Sequence, residues 1–367
     1  MPRELTHWLV AEEVADRLPA GPLADAIRAH RDAYLLGAVA PDSPFYALLG
    51  RQHEVLQRVA SAIHGADGSN TLGWVPEVAS ADGWAFVAGV CTHVATDVVF
   101  HPFVYHFSGS WKADDPRIRD RATIRHVRLE TAIDEYHILQ RPVPHGGRMH
   151  RVAAAAGRAA AARRTAAGAA PSGLLVAARQ LYSQYTLAQR SPAADSAARS
   201  WARVGLLSRE PHDDASFAAT ARHVLVVWRW HSLLQRLYFP AWFRAFLQLL
   251  DRLPLFRLQP VLAMGYRFPA GRRYPRFDNA FAYRHPVSGE WRSESIPELR
   301  GRVVEYALRL LASVQERMAG TPVTLEGPSL ETGVAGPGQQ MRYFDVRTVE
   351  QLLRAPLPSG APNVAVY

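Results

Sequence analysis

The sequence predicts a mainly helical, all-α protein. Apolar residues recur with the spacing of amphipathic helices in several segments, and candidate metal ligands recur every four residues in two of them. Strand signals are few, and the weak ones lie in the tail of the chain. There is no internal repeat, no Walker phosphate-binding loop and no dinucleotide-binding fingerprint, so the sequence does not predict a common nucleotide-binding fold.

Length and composition indicate a globular protein with a substantial core. The chain has 367 residues, of which 48% are hydrophobic and 20% are charged, enough for one large domain or two small ones. Cys91 is the only cysteine, which excludes an intramolecular disulfide framework and a zinc site built from cysteines. Any metal must therefore be held by His, Asp and Glu. The net charge of +9 favours anionic partners such as phospholipid surfaces or nucleic acid.

The N-terminal stretch does not have the pattern of a secretory signal. Acidic side chains interrupt residues 1–18, where a signal peptide needs an apolar run of roughly 7–15 residues. No apolar run reaches the roughly 18 residues that a membrane-spanning helix requires. We therefore expect a cytoplasmic location by default, with export without a cleaved signal or peripheral membrane association as alternatives.

The first 65 residues place three candidate ligands near the ends of predicted helices. Helical periodicity begins near Thr6, so His7 lies in the first turn of its helix. A second helix is predicted over residues 22–36, followed by a Gly- and Pro-rich turn that contains Asp42. A further helix begins near Gln52 and ends at His64, where the following glycine can cap it.

The central predicted helix, over about residues 83–99, carries the most informative pattern. His93, Asp97 and His101 follow one another at intervals of four, so they lie in one stripe on one helical face. The residues between them are apolar. Burying these three side chains without partners would be costly, and a metal cluster is the simplest way to satisfy them. Imidazole nitrogens together with carboxylates suit zinc.

A helix predicted at about residues 120–139, after a polar loop over 104–121, repeats this arrangement. His126, Glu130 and Asp134 are again four residues apart. The two helices and the earlier segments together supply enough ligands for two or three zinc ions with open positions for water. The candidate ligands are His7, Asp42, His64, His93, Asp97, His101, His126 and Glu130.

The remaining sequence is basic at first and then rich in aromatic residues. We interpret 141–172 as a loop or mobile helical insertion and 174–190 as a helix. The arginines of this region form either a solvated helix face or a strip that binds phosphate. Residues 216–265 predict two helices separated by a break at Pro240. Their aromatic side chains either pack in the protein core or insert into the interface of a membrane. An amphipathic helix follows at about 296–318.

These patterns divide the chain into three parts. Residues 1–140 form the predicted metal-binding catalytic core, and residues 141–215 form the basic Ala- and Arg-rich insertion with its helix. Residues 216–367 form the aromatic-rich helical C-terminal part, which we expect to pack into the same domain.

Five segments of the first 139 residues form a recognisable series. They are THW at 6–8, GAVAPDSPFY at 37–46, IHG at 63–65, HVATDVVFHPF at 93–103 and HVRLETAID at 126–134. In their order and approximate spacing they resemble the zinc-dependent phospholipase C family, whose superfamily also includes the P1/S1-type nucleases. The resemblance implies a bundle of helices with a metal cluster between them and a zinc-dependent phosphodiesterase activity.

The resemblance also implies how the ligands divide among three metal ions. One ion would be held by Asp42, His64, His93 and Asp97. A second ion would be held by His101, His126 and Glu130. A third ion would be held by His7 and by Asp97, which would bridge this ion and the first one. In the family this third site is completed by the backbone amine and carbonyl of the N-terminal residue, and removal of Met1 would let Pro2 take that place.

Two assignments have alternatives. His53 is the other candidate for the position of His64, but the IHG context at the helix end fits the family better. Asp134 is interpreted as orienting a histidine ligand through its free N–H, with a charge on the helix surface as the alternative.

The resemblance implies hydrolysis of glycerophospholipids to diacylglycerol and a phosphorylated headgroup. Asp42 is the candidate general base. Phe45 and Tyr46 are candidates for the headgroup pocket, where aromatic rings suit a quaternary ammonium, although both could simply pack in the core. The alternatives are a nuclease acting on single-stranded nucleic acid with the same metal site, and a non-catalytic, metal-stabilised membrane-binding module. No obligate protein partner is predicted.

Overall fold

The fold is mainly helical, which confirms the predicted fold class. The computed structural model describes residues 4–47, 53–66, 68–73, 81–139, 194–195, 197–199, 201–202, 214–237, 246–247, 249–250, 262 and 274–355. The helices within this part are α1 (Glu4–Arg17), α2 (Pro22–Ala29), α3 (Arg31–Gly37), α4 (His53–Ile63), α5 (Ala81–Ser108), α6 (Pro116–Leu139), α7 (Asp214–Leu237), α8 (Ile296–Met318) and α9 (Val349–Arg354). Two 3₁₀ helices span Ala40–Tyr46 and Pro275–Asp278, and a hairpin pairs β1 (Phe281–Arg284) with β2 (Trp291–Glu294).

Helix α5 is the centre of the described structure, and the ligand-bearing helices α1 and α6 pack around it together with α2, α3 and α8. By length and composition its Gly83–Ser108 segment could span a membrane, but 89% of the apolar window is buried against the rest of the protein. Such burial is typical of the central helix of a core. The sequence predicted an end near Val99 and a loop from 104, and both were wrong, because the helix continues through Pro102.

Two glycines let α3 approach α5 at backbone distance. A Cβ atom at Gly37 would lie 2.1 Å from the carbonyl oxygen of Phe86, and one at Gly89 would lie 2.0 Å from that of Tyr34. Any larger residue at either position would push the two helices apart. This close contact sets the chain that follows α3, which carries Asp42, against the face of α5 that carries the ligands.

The predicted helix over residues 22–36 is divided into α2 and α3 at His30, whose φ of −119° and ψ of 50° are not helical. The predicted helix at 296–318 coincides with α8, because Ser295 and Glu298 form a reciprocal capping box at its start. Residues 285–290 connect the two strands of the hairpin, in which Phe281 pairs with Glu294.

Several predictions fall on residues outside the described ranges. These are the N-terminal role of Pro2, the insertion at 141–172, the helix at 174–190 and the break at Pro240. In the described part of the aromatic region, Trp228 is fully buried and its ring centroid lies 5.4 Å from that of Trp201. Trp230 and Phe246 are exposed.

Candidate metal centre

The candidate ligands come from five segments, and the fold brings their side chains together around α5. His7 lies on α1, Asp42 on the first 3₁₀ helix and His64 directly after α4. The remaining ligands lie on two long helices: His93, Asp97 and His101 on α5, and His126 and Glu130 on α6. All eight residues are buried.

The first ligand group consists of Asp42, His64, His93 and Asp97, whose ligand atoms all lie within 4.8 Å of one another. An Asp42 carboxylate oxygen is 3.2 Å from Nε2 of His64 and 3.4 Å from Nε2 of His93. The same Nε2 of His93 also lies 3.2 Å from Oδ2 of Asp97. Two carboxylates and two imidazoles thus converge on one small space.

The second group consists of His101, His126 and Glu130. Nε2 of His126 lies 2.8 Å from Oε1 of Glu130, and Nε2 of His101 lies 3.9 Å from the same oxygen. Asp97 lies between the two groups, because its Oδ1 is also 3.9 Å from Nε2 of His101. This position fits a carboxylate shared by neighbouring ions.

His7 lies beside both carboxylates of the first group. Its Nε2 is 3.5 Å from Oδ1 of Asp97 and 3.8 Å from Oδ2 of Asp42, and its ring stacks on His93 with centroids 4.2 Å apart. The N-terminal residues that would complete a third site lie outside the described part of the chain. His53, the alternative to His64, lies at the start of α4 and bonds the Ala47 carbonyl through Nδ1, outside both ligand groups.

Three of the imidazoles are held in one tautomer by backbone carbonyls. Nδ1 of His64 lies 2.7 Å from the Ala60 oxygen, and Nδ1 of His93 lies 3.0 Å from the Ala38 oxygen. Nδ1 of His101 bonds the Leu330 oxygen. A carbonyl can only accept, so each Nδ1 must carry a proton, and Nε2 is the nitrogen that each ring presents to the ligand groups.

Buried polar atoms without hydrogen bonds supply the test of whether these residues fit a metal. Within the described residues, neither nitrogen of His7, neither carboxylate oxygen of Asp97, nor Nε2 of His93 or His101 has a hydrogen bond of good geometry. Leaving so many buried polar atoms unsatisfied costs free energy. Neutral imidazoles and carboxylates are the ligands that zinc takes when no cysteine is available. The residues therefore fit zinc.

The pKa values of the buried ligands show that the metal-free site favours positive charge beside Asp42 and Asp97. Burial lowers the pKa of His93, but Asp42 and Asp97 outweigh that effect and raise it to about 10. Burial opposes ionisation of the two aspartates as well, yet their imidazole neighbours hold the pKa of each carboxyl well below its usual range. Burial lowers the pKa of His7 to about 4 and that of His101 to about 3. His7 and His101 are therefore neutral at neutral pH, as metal ligands must be.

An aromatic cavity of about 270 Å³ opens onto the ligands. Both candidate pocket residues, Phe45 and Tyr46, line it. Each also packs against a histidine: Phe45 meets His64 edge-on at 4.9 Å, and Tyr46 stacks on His231 at 3.9 Å. The remaining lining residues are Glu4, Asp42, Gln57, His64, His101, Tyr105, Trp111, Thr123, His126, Val127, Glu130 and Glu331.

A buried network behind Asp42 was not predicted from the sequence. Nε2 of His231 lies 2.8 Å from Oε1 of Glu4, and its Nδ1 lies 2.8 Å from the Ser43 hydroxyl. Tyr46 donates to the same Glu4 oxygen at 2.6 Å. These bonds tie the first 3₁₀ helix to α1 and α7. The Ser43 side chain is fully buried, so its hydroxyl is not presented as a nucleophile. It thereby fixes the segment that carries Asp42.

Asp134 fixes the start of α1. Its carboxylate accepts from the backbone N–H groups of Leu5 and Thr6, at 3.2 and 2.9 Å, and from the Thr6 hydroxyl at 2.5 Å. These bonds satisfy donors that the first turn of a helix leaves unpaired. The same contact anchors the turn that carries His7 against α6.

The C-terminal part of the chain also reaches the ligands, which the sequence did not predict. Besides accepting from His101, Leu330 donates its N–H to the carbonyl oxygen of His64 at 2.9 Å. Its neighbour Glu331 is buried and lines the cavity. Neither residue lies in a recognisable motif, and each is more than 200 positions from the ligands it approaches, so no local signal could have identified it.

A comparison with known protein families gives one match. The family model described as zinc dependent phospholipase C matches residues 6–167. The matched range includes all eight described candidate ligands and ends well before His231 and Leu330. Among curated proteins and among solved structures, no significant match to the chain was found.

Proposed function

We propose, from the match of residues 6–167 to the family model of zinc-dependent phospholipase C, that this protein is a phospholipase C-type hydrolase of glycerophospholipids. The observation that carries the proposal is the arrangement of two buried ligand groups around Asp97 at the base of an aromatic cavity. A phosphodiester needs this combination of positive charge for its phosphate and an apolar wall for its substituents.

The proposed ligand sets follow the two groups. Asp42, His64, His93 and Asp97 would hold one zinc ion, and His101, His126 and Glu130 would hold another. His7, beside Asp97, would contribute to a third ion together with Pro2. When bound, zinc would supply Lewis-acid stabilisation of the phosphate and a water whose pKa is lowered to about 7.

The chain's own residues hold and orient the reacting groups. The backbone carbonyls of Ala38, Ala60 and Leu330 keep three imidazoles in the tautomer that presents Nε2. All eight candidate ligands are buried, and burial strengthens electrostatic interactions within the site.

Asp42 is the proposed general base. It lies on the first 3₁₀ helix, lines the cavity and keeps a carboxyl pKa well below its usual range, so it is ionised at neutral pH. The Glu4–His231–Ser43 network holds its segment in place. A carboxylate that lies at the edge of the ligand groups and faces the cavity can accept a proton from the attacking water.

Phe45 and Tyr46 are proposed as part of the headgroup pocket. Their place in the cavity wall beside Asp42 supports this role, and their contacts with His64 and His231 supply packing as well. Aromatic rings can attract an ammonium headgroup through cation–π contact.

The test combines a zinc count with a choice of substrates. The purified protein, analysed for zinc and for its N-terminal residue, is incubated with phosphatidylcholine vesicles and with single-stranded DNA, each with and without a chelator. We expect diacylglycerol and phosphocholine as products, loss of activity with chelator and recovery with zinc. Hydrolysis of the DNA alone would replace the proposal with a nuclease. Full zinc occupancy with no hydrolysis of either substrate would favour the non-catalytic membrane-binding module.

A further inference from the structure

The segment 327–334 crosses the ligand groups although it lies far outside the family match. Leu330 joins two ligands that belong to different groups, donating to the carbonyl of His64 and accepting from Nδ1 of His101. The segment is also tied to the chain after α4, since the Thr71 N–H donates to the Gly327 oxygen at 3.2 Å. The position of this segment relative to the ligands is therefore well defined.

Pro102 and Gly333 explain how the segment reaches α5. Proline has no N–H, so Pro102 leaves the carbonyl of Val98 without its usual partner in the helix. Gly333 lies over that carbonyl with a φ of +67°, and a Cβ atom there would come within 2.9 Å of the Val98 oxygen. Only glycine combines this φ with so close an approach.

Glu331, which this segment carries, is a buried carboxylate with one unused oxygen. Its side chain is 5% exposed, and Oε2 pairs with Nζ of Lys112, the only lysine in the chain, at 2.5 Å. Oε1 is buried and has no hydrogen-bond partner in the described part of the chain. A buried acceptor with no partner is costly, so this oxygen is a candidate for binding a group that arrives with the substrate.

The surroundings of Glu331 indicate which chemical group that is. Glu331 lines the cavity together with Tyr105 and Trp111, whose indole N–H donates to the Tyr105 hydroxyl at 2.6 Å. A carboxylate beside two aromatic rings attracts a cation and repels an anion.

We infer that Glu331 is a specificity-determining residue that selects phospholipids whose headgroup carries an ammonium group, through the contact of Oε1 with that cation. This inference rests on the proposed phospholipase function. The Lys112 ion pair holds the carboxylate in place, and segment 327–334 fixes its distance from the ligands. A headgroup without a positive charge would leave Oε1 unsatisfied.

The test compares Glu331→Gln with Glu326→Gln, which removes an exposed carboxylate one residue before segment 327–334. Zinc-loaded proteins are assayed on vesicles of phosphatidylethanolamine, phosphatidylcholine and phosphatidylglycerol. We expect Glu331→Gln to lower kcat/KM for the two ammonium-bearing lipids by roughly 10- to 100-fold, the range for a lost charge-assisted contact, and to leave phosphatidylglycerol unchanged or improved. Glu326→Gln should match the unaltered protein on all three lipids.

A second measurement does not depend on turnover. Calorimetric binding of phosphoethanolamine and of glycerol phosphate to the zinc-loaded proteins should show that Glu331→Gln weakens only the first ligand. An equal loss for both ligands, or for all three lipids, would overturn the inference, because a purely structural ion pair with Lys112 predicts a uniform effect. Absence of any lipid hydrolysis by the unaltered protein would instead contradict the proposed function, and the binding comparison would still decide the role of Glu331.

Discussion

Residues 4–139 and residues 274–355 contribute to the metal centre in different ways. The first region supplies every described candidate ligand, and its ligands lie at helical spacing on α5 and α6. The second region supplies a backbone carbonyl, a backbone N–H and one buried carboxylate, all from segment 327–334. The first region therefore determines which metal can bind. The second orients the ligands and shapes the cavity above them.

The difference shows that the family-matching region does not build the site alone. His101 is held in its tautomer by Leu330, and Asp42 is held in place through His231 of α7. Both supporting residues lie outside the matched range 6–167. Substitutions in the two regions should consequently have different effects. Those in the first region should remove bound metal and activity, and those in the second should disturb the orientation of the ligands and the selectivity for substrate.

The largest effect is expected for Asp97→Asn in the first region. Asp97 lies between the two ligand groups, and its two oxygens face His93, His101 and His7. An amide offers one oxygen where two are needed, so phosphodiesterase activity should fall by orders of magnitude and bound zinc should decrease. Elemental analysis and a lipid assay measure both. Near-normal rates with full zinc would show that the two ligand groups do not share this carboxylate.

A large loss of stability is expected for Gly89→Ala, which tests the contact between α3 and α5. The added methyl group would lie 2.0 Å from the Tyr34 oxygen, and overpacking a core costs about 1–3 kcal/mol or more. The matched control is Gly301→Ala on α8, where no atom lies within 4 Å of the added methyl group. That change should stabilise the helix by about 0.5–1 kcal/mol. Urea unfolding of metal-free protein compares them, and equal midpoints would refute the close contact.

A smaller and more selective effect is expected for Gly333→Ala in the second region. The methyl group would strain a φ of +67° and approach the Val98 oxygen, which would displace Leu330 from His101. Loss of a group that orients a ligand typically lowers metal affinity by about 10- to 100-fold. Competition with a zinc chelator should show this loss for part of the bound zinc.

Gly320→Ala is the control for that variant, because its φ of +89° carries the same backbone strain and no atom lies within 4 Å of the added methyl group. If Gly320→Ala weakened zinc binding as much as Gly333→Ala, backbone strain alone would explain the result. The supporting role of segment 327–334 would then be disproved.

The smallest expected effect is the number of protons that the protein releases when zinc binds. Because Asp42 and Asp97 outweigh burial and raise the pKa of His93 to about 10, that residue is protonated at pH 7 in the metal-free protein and must lose its proton when zinc binds. His7 and His101 release none, because burial lowers the pKa of each below 7. Calorimetry in buffers of different ionisation enthalpy should show release of about one proton from this group.

The same pKa sets a stability trend for the metal-free protein. A pKa raised from 6.5 to about 10 contributes stability that is fully present below pH 6.5 and is lost as the pH rises to 10. Zinc-loaded protein should not show this loss, because its His93 is already neutral. Thermal unfolding at several pH values compares the two forms, and a trend in metal-free protein that is independent of His93→Gln would contradict the assignment.

Much of the fold was predictable because helical periodicity is a local property. The boundaries of α8 agree with the prediction, since Ser295 and Glu298 mark its start in the sequence itself. The extension of α5 through Pro102 was not predictable, because proline normally interrupts a helix and only the surrounding core keeps this one continuous. The division at His30 likewise has no clear local signal.

The sequence by itself determined the chemistry of the site. A helix repeats every 3.6 residues, so the spacing of His93, Asp97 and His101 places them on one face in any fold that keeps α5 helical. Only the tertiary structure decided which nitrogen each histidine presents and which groups from the rest of the chain lie against the ligands. The bond between His101 and Leu330 joins residues 229 positions apart, and Glu331 reaches the cavity because helix packing brings that segment across α5. Such contacts depend on the packing of the whole chain, which no local spacing records.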